Sequence, residues 1–343
     1  MRRALVAVCV LLLGVTVMVQ QQIPTGGRIP DRRGFAGVND PRYPELVKEG
    51  VVTRRVAGQV YVIAGAGGNV EVFAGNEGVL LVDNNFTILW DPIRNAIRQI
   101  SDKPIKYVIN THFHPDHLEN NDNLAKLGAT IFAHPQTRII LQQPLPGGGS
   151  RPAGMLPTVT SSELLTFHFN GEEVTYVPLK ASHSPGDVGV YFHGSDVFAF
   201  GDVFTNDYPS LATGQGGTME NFIDNYNLAA AMTTPSTVFV PGHGQLANRS
   251  DLMYVRDAVS TIHDRFRKMV SEGMTLEQIR NARPTKEWDQ RLATEICCSP
   301  NNVQTSARFY AQVYDEAVAH TNGKIGTVHQ TATAAAAAAA PPR

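Results

Sequence analysis

Short runs of β-branched and aromatic residues at 59–64, 69–74 and 78–83, punctuated by Gly65, Gly67, Gly68, Gly75 and Gly78, open the patterned part of the chain. Runs of that length between turn formers predict strands joined by tight connections. Gly65-x-Gly67-Gly68 resembles the start of a dinucleotide-binding loop, but the third glycine is missing and a strand follows where a helix should, so a hairpin is expected. Beyond Asp83 the period lengthens. Residues 90–100 read as a helix, 106–109 as a strand, 117–127 as a helix and 129–134 as a strand, a β-α-β-α-β succession. A Pro/Gly-rich loop, 144–157, precedes a second strand-rich set at 164–170, 173–179, 188–193 and 197–200. A helix over 219–232, a strand over 237–240 and helices over 251–272 and 303–320 complete the pattern. Two halves with strands first and helices after predict an α/β (α+β) fold class: two sheets face to face with helices outside, an αββα sandwich.

Composition then narrows the classes. Of 343 residues 43% are hydrophobic and 17% charged, which excludes disorder or coiled coil for the bulk of the chain. Lys+Arg number 29 against 31 Asp+Glu, a net charge of −2, and no stretch has the basic excess of a groove that tracks phosphates. Nucleic acid is therefore not expected as a partner. Met1-Arg2-Arg3 followed by the apolar run 4–19 predicts a signal peptide over 1–22 and export, to the periplasm or as a secreted protein. Val17-Met18-Val19 lacks a small-x-small cleavage pattern, so the alternative is an uncleaved leader that anchors the protein to the membrane. Residues 23–45 read as a linker or strap, 46–325 as the folded domain with C-terminal helices, and the Ala-rich 326–343 as a disordered tail. Cys9 belongs to the leader. Cys297-Cys298 lacks C-x-x-C spacing and reads as two quiet thiols, with a strained vicinal disulfide as the alternative.

The chemistry concentrates in Thr111-His112-Phe113-His114-Pro115-Asp116-His117, between a predicted strand and a predicted helix. In extended chain residues i and i+2 point the same way, so His112 and His114 present imidazoles to one metal, while the turn at Pro115 swings Asp116 and His117 toward a neighbouring position. His183, Asp202 and His243 each follow a predicted strand beside glycines, where the backbone turns sharply and side chains face a common edge. A lone histidine is more often a packing residue, so their weight lies in the set. Asp83, at a strand end, is the better candidate for orienting a ligand. Asp187 either orients His183 or caps a turn, and His134 is a further possible partner for a ligating imidazole. Tyr208, six residues past Asp202, either closes over the metals and donates to a developing oxyanion or packs its ring and anchors the loop.

These seven positions, His112, His114, Asp116, His117, His183, Asp202 and His243, resemble the metallo-β-lactamase superfamily over about residues 50–270. The resemblance implies an αββα fold with two metals, usually two Zn2+ per chain: His112, His114 and His183 on the first, Asp116, His117 and His243 on the second, and Asp202 bridging. The antibiotic-resistance branch places Cys where this chain has Asp202, so the chain looks more like the glyoxalase II, lactonase and miscellaneous hydrolase branches. The family's Asp-x-Gly reads Asp83-Asn84-Asn85 here, and a backbone difference is expected there. The implied reaction is attack by a metal-bridging hydroxide on the carbonyl of an ester, lactone, thioester or β-lactam, with Asp116 orienting the hydroxide and shuttling its proton. Specificity is expected in the loops 144–157 and 206–217. Two alternatives stand beside this reading: a mononuclear iron sulfur dioxygenase of the same fold, and a non-catalytic metal-dependent binding module.

Overall fold

The computed structural model describes residues 45, 48–145, 147–292 and 305–321. The expected leader, the strap up to residue 44, Cys297-Cys298 and the tail from 326 lie outside the described residues. Among the described residues, thirteen strands form two sheets. The first holds β1 (Val52–Ala57), β2 (Val60–Ala64), β3 (Val70–Gly75), β4 (Gly78–Val82), β5 (Ile105–Ile109), β6 (Thr130–Ala133) and β7 (Val159–Thr160), in chain order from edge to edge. Its first four strands are antiparallel neighbours, and from β4 onward the pairing is parallel. That switch requires crossovers, which α1 (Trp90–Ile100), α2 (Pro115–Leu118), α3 (Asn121–Lys126) and α4 (Pro135–Leu141) supply. The second sheet runs β13-β12-β11-β10-β9-β8, from β8 (Leu165–Phe169), β9 (Glu172–Pro178), β10 (Val188–Phe192), β11 (Val197–Ala199), β12 (Val238–Val240) and β13 (Ala247–Asn248). Helix α5 (Met219–Met232) connects β11 to its parallel neighbour β12, and α6 (Arg249–Ser271), α7 (Leu276–Ala282), α8 (Asp289–Leu292) and α9 (Thr305–His320) follow.

The period-2 alternation of the strands creates the four layers. Along β4 every residue is buried, but Leu80 and Val82 face the space between the sheets while Val79 and Leu81 face α1. Helix α1, expected over these residues, meets them with Ile93, Ala96 and Ile97, an i, i+3, i+4 stripe. In β11, Val197 and Ala199 join the inter-sheet core, and Phe198 turns outward onto the layer built from α5, α6 and α9. The helix starts are sealed by side chains. Thr218 caps α5, and Asn248 with Asp251 forms a capping box that starts α6 at Arg249, two residues before the expected start.

Two expectations need correction. The helix expected over 117–127 is split, because the Asn120 amide donates to the carbonyls of Asn84 and Phe86 and its N–H donates to Asn84 Oδ1, tertiary bonds that an unbroken helix would not reach. Strand β1 was invisible in the pattern because Arg54 and Arg55 interrupt its alternation, which an edge strand tolerates. No helix among the described residues is long and apolar enough to cross a membrane.

Candidate metal centre

Four loops meet at one edge of the sandwich. They leave the carboxyl ends of β5, β9, β11 and β12, carrying His112 to His117, His183, Asp202 and His243 in that order. Since β9 and β11 are each antiparallel to β10, and β12 is parallel to β11, the last three strands end on the same side. At the first loop, Pro115 holds His114 in extended backbone (φ −68°, ψ 145°) and occupies the first turn of α2, so Asp116 and His117 turn away from the His112–His114 line. Two glycines allow the close approach. A Cβ on Gly68 would lie 2.5 Å from His117 Cε1, and one on Gly242 would lie 1.9 Å from Asp202 Oδ1.

The seven side chains converge as two adjoining groups. In one, His114 Nδ1 lies 3.0 Å from His112 Nε2 and 2.9 Å from His183 Nε2, and Asp202 Oδ2 lies 3.4 Å from His183 Nε2 and 3.9 Å from His112 Nε2. In the other, Asp116 Oδ2 is 3.2 Å from His243 Nε2 and 3.7 Å from His117 Nε2, and those two nitrogens are 3.2 Å apart. Asp202 Oδ1 faces this second group, 3.3 Å from His117 Nε2 and 3.4 Å from His243 Nε2. That oxygen is buried without a hydrogen-bond partner. Nitrogen and oxygen donors about 3 to 3.5 Å apart surround a cation bound at about 2.0 to 2.2 Å, so the donor set fits divalent metal.

Hydrogen bonds behind the rings choose which nitrogen points inward. The Thr111 hydroxyl donates to Asp83 Oδ2 at 2.7 Å, so at 2.9 Å it accepts from His112 Nδ1–H and leaves the His112 Nε2 lone pair facing the group. Asp83 Oδ2 also accepts from His117 Nδ1–H at 2.7 Å, and the Ser210 carbonyl accepts from His183 Nδ1–H at 3.1 Å. In its neutral form each of these rings therefore offers Nε2 as a lone pair. Asp83 and Asn85 adopt positive φ, 59° and 62°, which Asp and Asn tolerate better than most residues. Asn85 thus takes the left-handed conformation that a glycine adopts freely. Asn69, on the hairpin after β2, anchors the His243 loop by donating to the carbonyls of Pro241 and Gly244.

The electrostatics agree. Burial lowers His112, His114 and His183, the last to about 3, so these imidazoles are neutral donors. Burial alone would raise Asp116, but His117 and His243 bring it to about 2, and His243, His117 and His183 likewise hold Asp202 well below the usual range. Burial would lower His243 and His117, yet Asp202 and Asp116 hold His243 up to about 9 and, with Asp83, raise His117 well above its ordinary value. The pocket favours positive charge.

Other sequence-predicted residues fall elsewhere. Asp187 Oδ2 accepts from the backbone N–H groups of Ser182, His183 and Ser184 and from the Ser182 hydroxyl; it fixes the His183 backbone, and burial pushes its carboxyl to about 6. His134 Nδ1 accepts from Gln136 N–H and caps α4. Tyr208 is a correction: its hydroxyl faces the Thr285 carbonyl at 3.2 Å and Asp289 Oδ1 at 2.9 Å, and its ring stacks on Phe309 with centroids 4.6 Å apart. The phenol is spent on α8 and its approach, so it anchors the loop and does not serve an oxyanion. Thr111, Ser210 and Asn69 were missed as positioning groups, although Thr111 stood inside the motif; a carbonyl such as that of Ser210 leaves no side-chain signal.

The metallo-beta-lactamase superfamily model matches residues 58–243, the stretch that carries all seven side chains. The chain is 23% identical over 252 residues to a linear primary-alkylsulfatase from Pseudomonas sp., an alignment covering 59% of this chain and 47% of the relative. It spans about half the length of that curated relative. Among solved structures, the stereoselective inverting sec-alkylsulfatase Pisa1 from Pseudomonas sp. superimposes with a TM-score of 0.58 at 16% identity, covering 77% of this chain and 50% of that one. A metallo-beta-lactamase from Pontibacter korlensis gives 0.52 at 16% identity, covering 61% and 99%. Similarity at this level shows a shared fold, the αββα sandwich.

Proposed function

This chain belongs to the metallo-β-lactamase superfamily, and from that membership we propose that it is a dinuclear zinc hydrolase of ester-type bonds in small molecules. One observation carries the reading: the two oxygens of Asp202 face different ligand groups, Oδ2 toward His183 and His112, Oδ1 toward His117 and His243. A carboxylate so placed suits a bridge between two ions. The second group, Asp116, His117 and His243, favours two ions over the single-iron alternative, which needs only the first. Complete ligand sets likewise favour an enzyme over a binding module.

Two bound zinc ions would supply Lewis acidity at the scissile group and a water acidified toward neutrality. The chain's own residues do the rest. Asp116, ionised beside His243, would accept a hydrogen bond from a water in the pocket, orienting it and receiving its proton. Asp83 and Thr111 keep His117 and His112 in the tautomers that leave Nε2 free. The Thr111 hydroxyl is committed to Asp83, so it is not a nucleophile. Carbonyl esters, lactones, thioesters and β-lactams all fit this arrangement. The alkylsulfatase relative favours a second reading of the substrate, a sulfate ester attacked by the same machinery. The apolar run behind Arg2-Arg3 supports export as the setting.

Metal counting on the purified full chain and a hydrolysis panel spanning carboxyl esters, lactones, thioesters, β-lactams and alkyl sulfates test the proposal together. Two zinc ions that depend on the pocket ligands, with turnover of one panel class, are expected. One iron with sulfur oxidation, or no hydrolysis across the panel with both ions bound, overturns it.

A further inference from the structure

Away from the pocket, a second group of ligating side chains stands where three helices meet. Glu220 lies in the first turn of α5, His263 along α6, and Glu316 and His320 one turn apart on α9. His263 Nε2 is 3.6 Å from Glu316 Oε1; His320 Nε2 is 3.9 Å from Glu316 Oε1 and 3.9 Å from Glu220 Oε2. Glu220, His263 and His320 each bring a ligand atom within 4.8 Å of the others.

Two features set this group apart from a solvated charge cluster. His263 and Glu316 are only 4% and 7% exposed, and the atoms they turn toward each other, Nε2 and Oε1, are buried with no hydrogen-bond partner. A carboxylate and an imidazole paired for their own sake would close to about 2.7 to 2.9 Å. The carboxylates are also held in a half-used state. Glu316 Oε2 accepts from Met219 N–H at 2.9 Å, and Glu220 Oε1 pairs with Arg267 at 3.1 Å, so each keeps its other oxygen for the cluster. Burial pushes the Glu316 carboxyl up to about 7.

We propose that Glu220, His263, Glu316 and His320 form a non-catalytic site for one zinc-like divalent ion, which ties α5, α6 and α9 together. The 3.6 to 3.9 Å pairs, and the spread of up to 4.8 Å among Glu220, His263 and His320, contract on binding to the roughly 3.4 Å between ligands of a tetrahedral zinc. Two imidazoles among the donors select a borderline transition metal over calcium or magnesium, and four protein ligands close the site to substrate. Glu220 and His320, at the exposed side, give the ion its way in.

The test is a zinc count per chain after equilibrium dialysis of the full-length protein and of the double variant Glu220→Gln with His320→Ala, both on the solvent side, with circular dichroism to verify folding. Wild type should hold one zinc more than the double variant, and added zinc should raise its melting temperature further. His263→Gln should lose the same single equivalent. Hydrolytic turnover of the double variant should persist, since the pocket ligands are untouched. Equal zinc counts and equal zinc-dependent melting shifts in wild type and the folded double variant would overturn the site.

Discussion

The pocket at the strand ends and the cluster among the helices both gather imidazoles and carboxylates, but they hold them differently. In the pocket the ligands sit on loops, and the far nitrogen of a ring is pinned from behind: His117 by Asp83, His112 by Thr111, His183 by the Ser210 carbonyl. In the helix cluster the imidazoles have no such backing among the bonds described, and the tethers fall on the carboxylates, through Met219 N–H and Arg267. There the helical rise sets the spacing, placing Glu316 and His320 on one face at i and i+4. A loop does not dictate ring orientation, so outer hydrogen bonds fix three of the pocket's rings, while His243 Nδ1 is buried with no partner; a helix-borne site inherits more of its geometry.

Removing the first pocket group should have the largest effect. His112→Ala with His114→Ala is expected to abolish hydrolysis and pocket metal binding, read by turnover and metal analysis, while the helix cluster keeps its ion. Retention of both pocket ions would break the ligand assignment. Asp202→Asn comes next. A neutral amide cannot supply bridging charge between dications about 4 Å apart, so both pocket ions should weaken and turnover should fall with them. Full occupancy with unchanged turnover would show that Asp202 is no bridge.

Asp83→Asn sharpens the comparison. The pocket's dependence on outer hydrogen bonds predicts a loss of about 10- to 100-fold in metal affinity or activity, because an amide releases both the His117 tautomer and the Thr111 hydroxyl. Zinc titration followed by turnover reads this directly, and a wild-type response would mean that the loops alone orient the rings. The smallest effect belongs to Tyr208→Phe. With the phenol bonded toward Asp289 and Thr285, turnover should be unchanged and stability lower by about 1 kcal/mol, against about 3 to 5 kcal/mol for Tyr208→Ala in chemical denaturation. A hundredfold fall in turnover in the Phe variant, with both ions bound, would return Tyr208 to the reaction.

Much of this architecture can be read from local pattern. The unbroken apolar run within 78–83 already marks a strand, and the longer period over 90–100 a helix. The spacing His112-x-His114-x-Asp116-His117 places four ligating side chains at a strand end, where Pro115 forces the turn. These features depend on neighbours within a few residues, which is the range over which periodicity and turn chemistry act.

The remaining decisions are made by contacts between distant segments. Whether His112 offers Nδ1 or Nε2 depends on Thr111 being held by Asp83, 28 residues away. Whether Tyr208 faces the pocket or α8 depends on Asp289, 81 residues on, and on the stacking of Phe309. The helix cluster brings together Glu220, His263, Glu316 and His320 from three elements with no shared motif. The sequence by itself determined which residues can ligate and at which strand ends they stand. Tertiary packing alone decided which atom of each faces inward, because a side chain's rotamer and tautomer are selected by the hydrogen bonds that the assembled fold makes available.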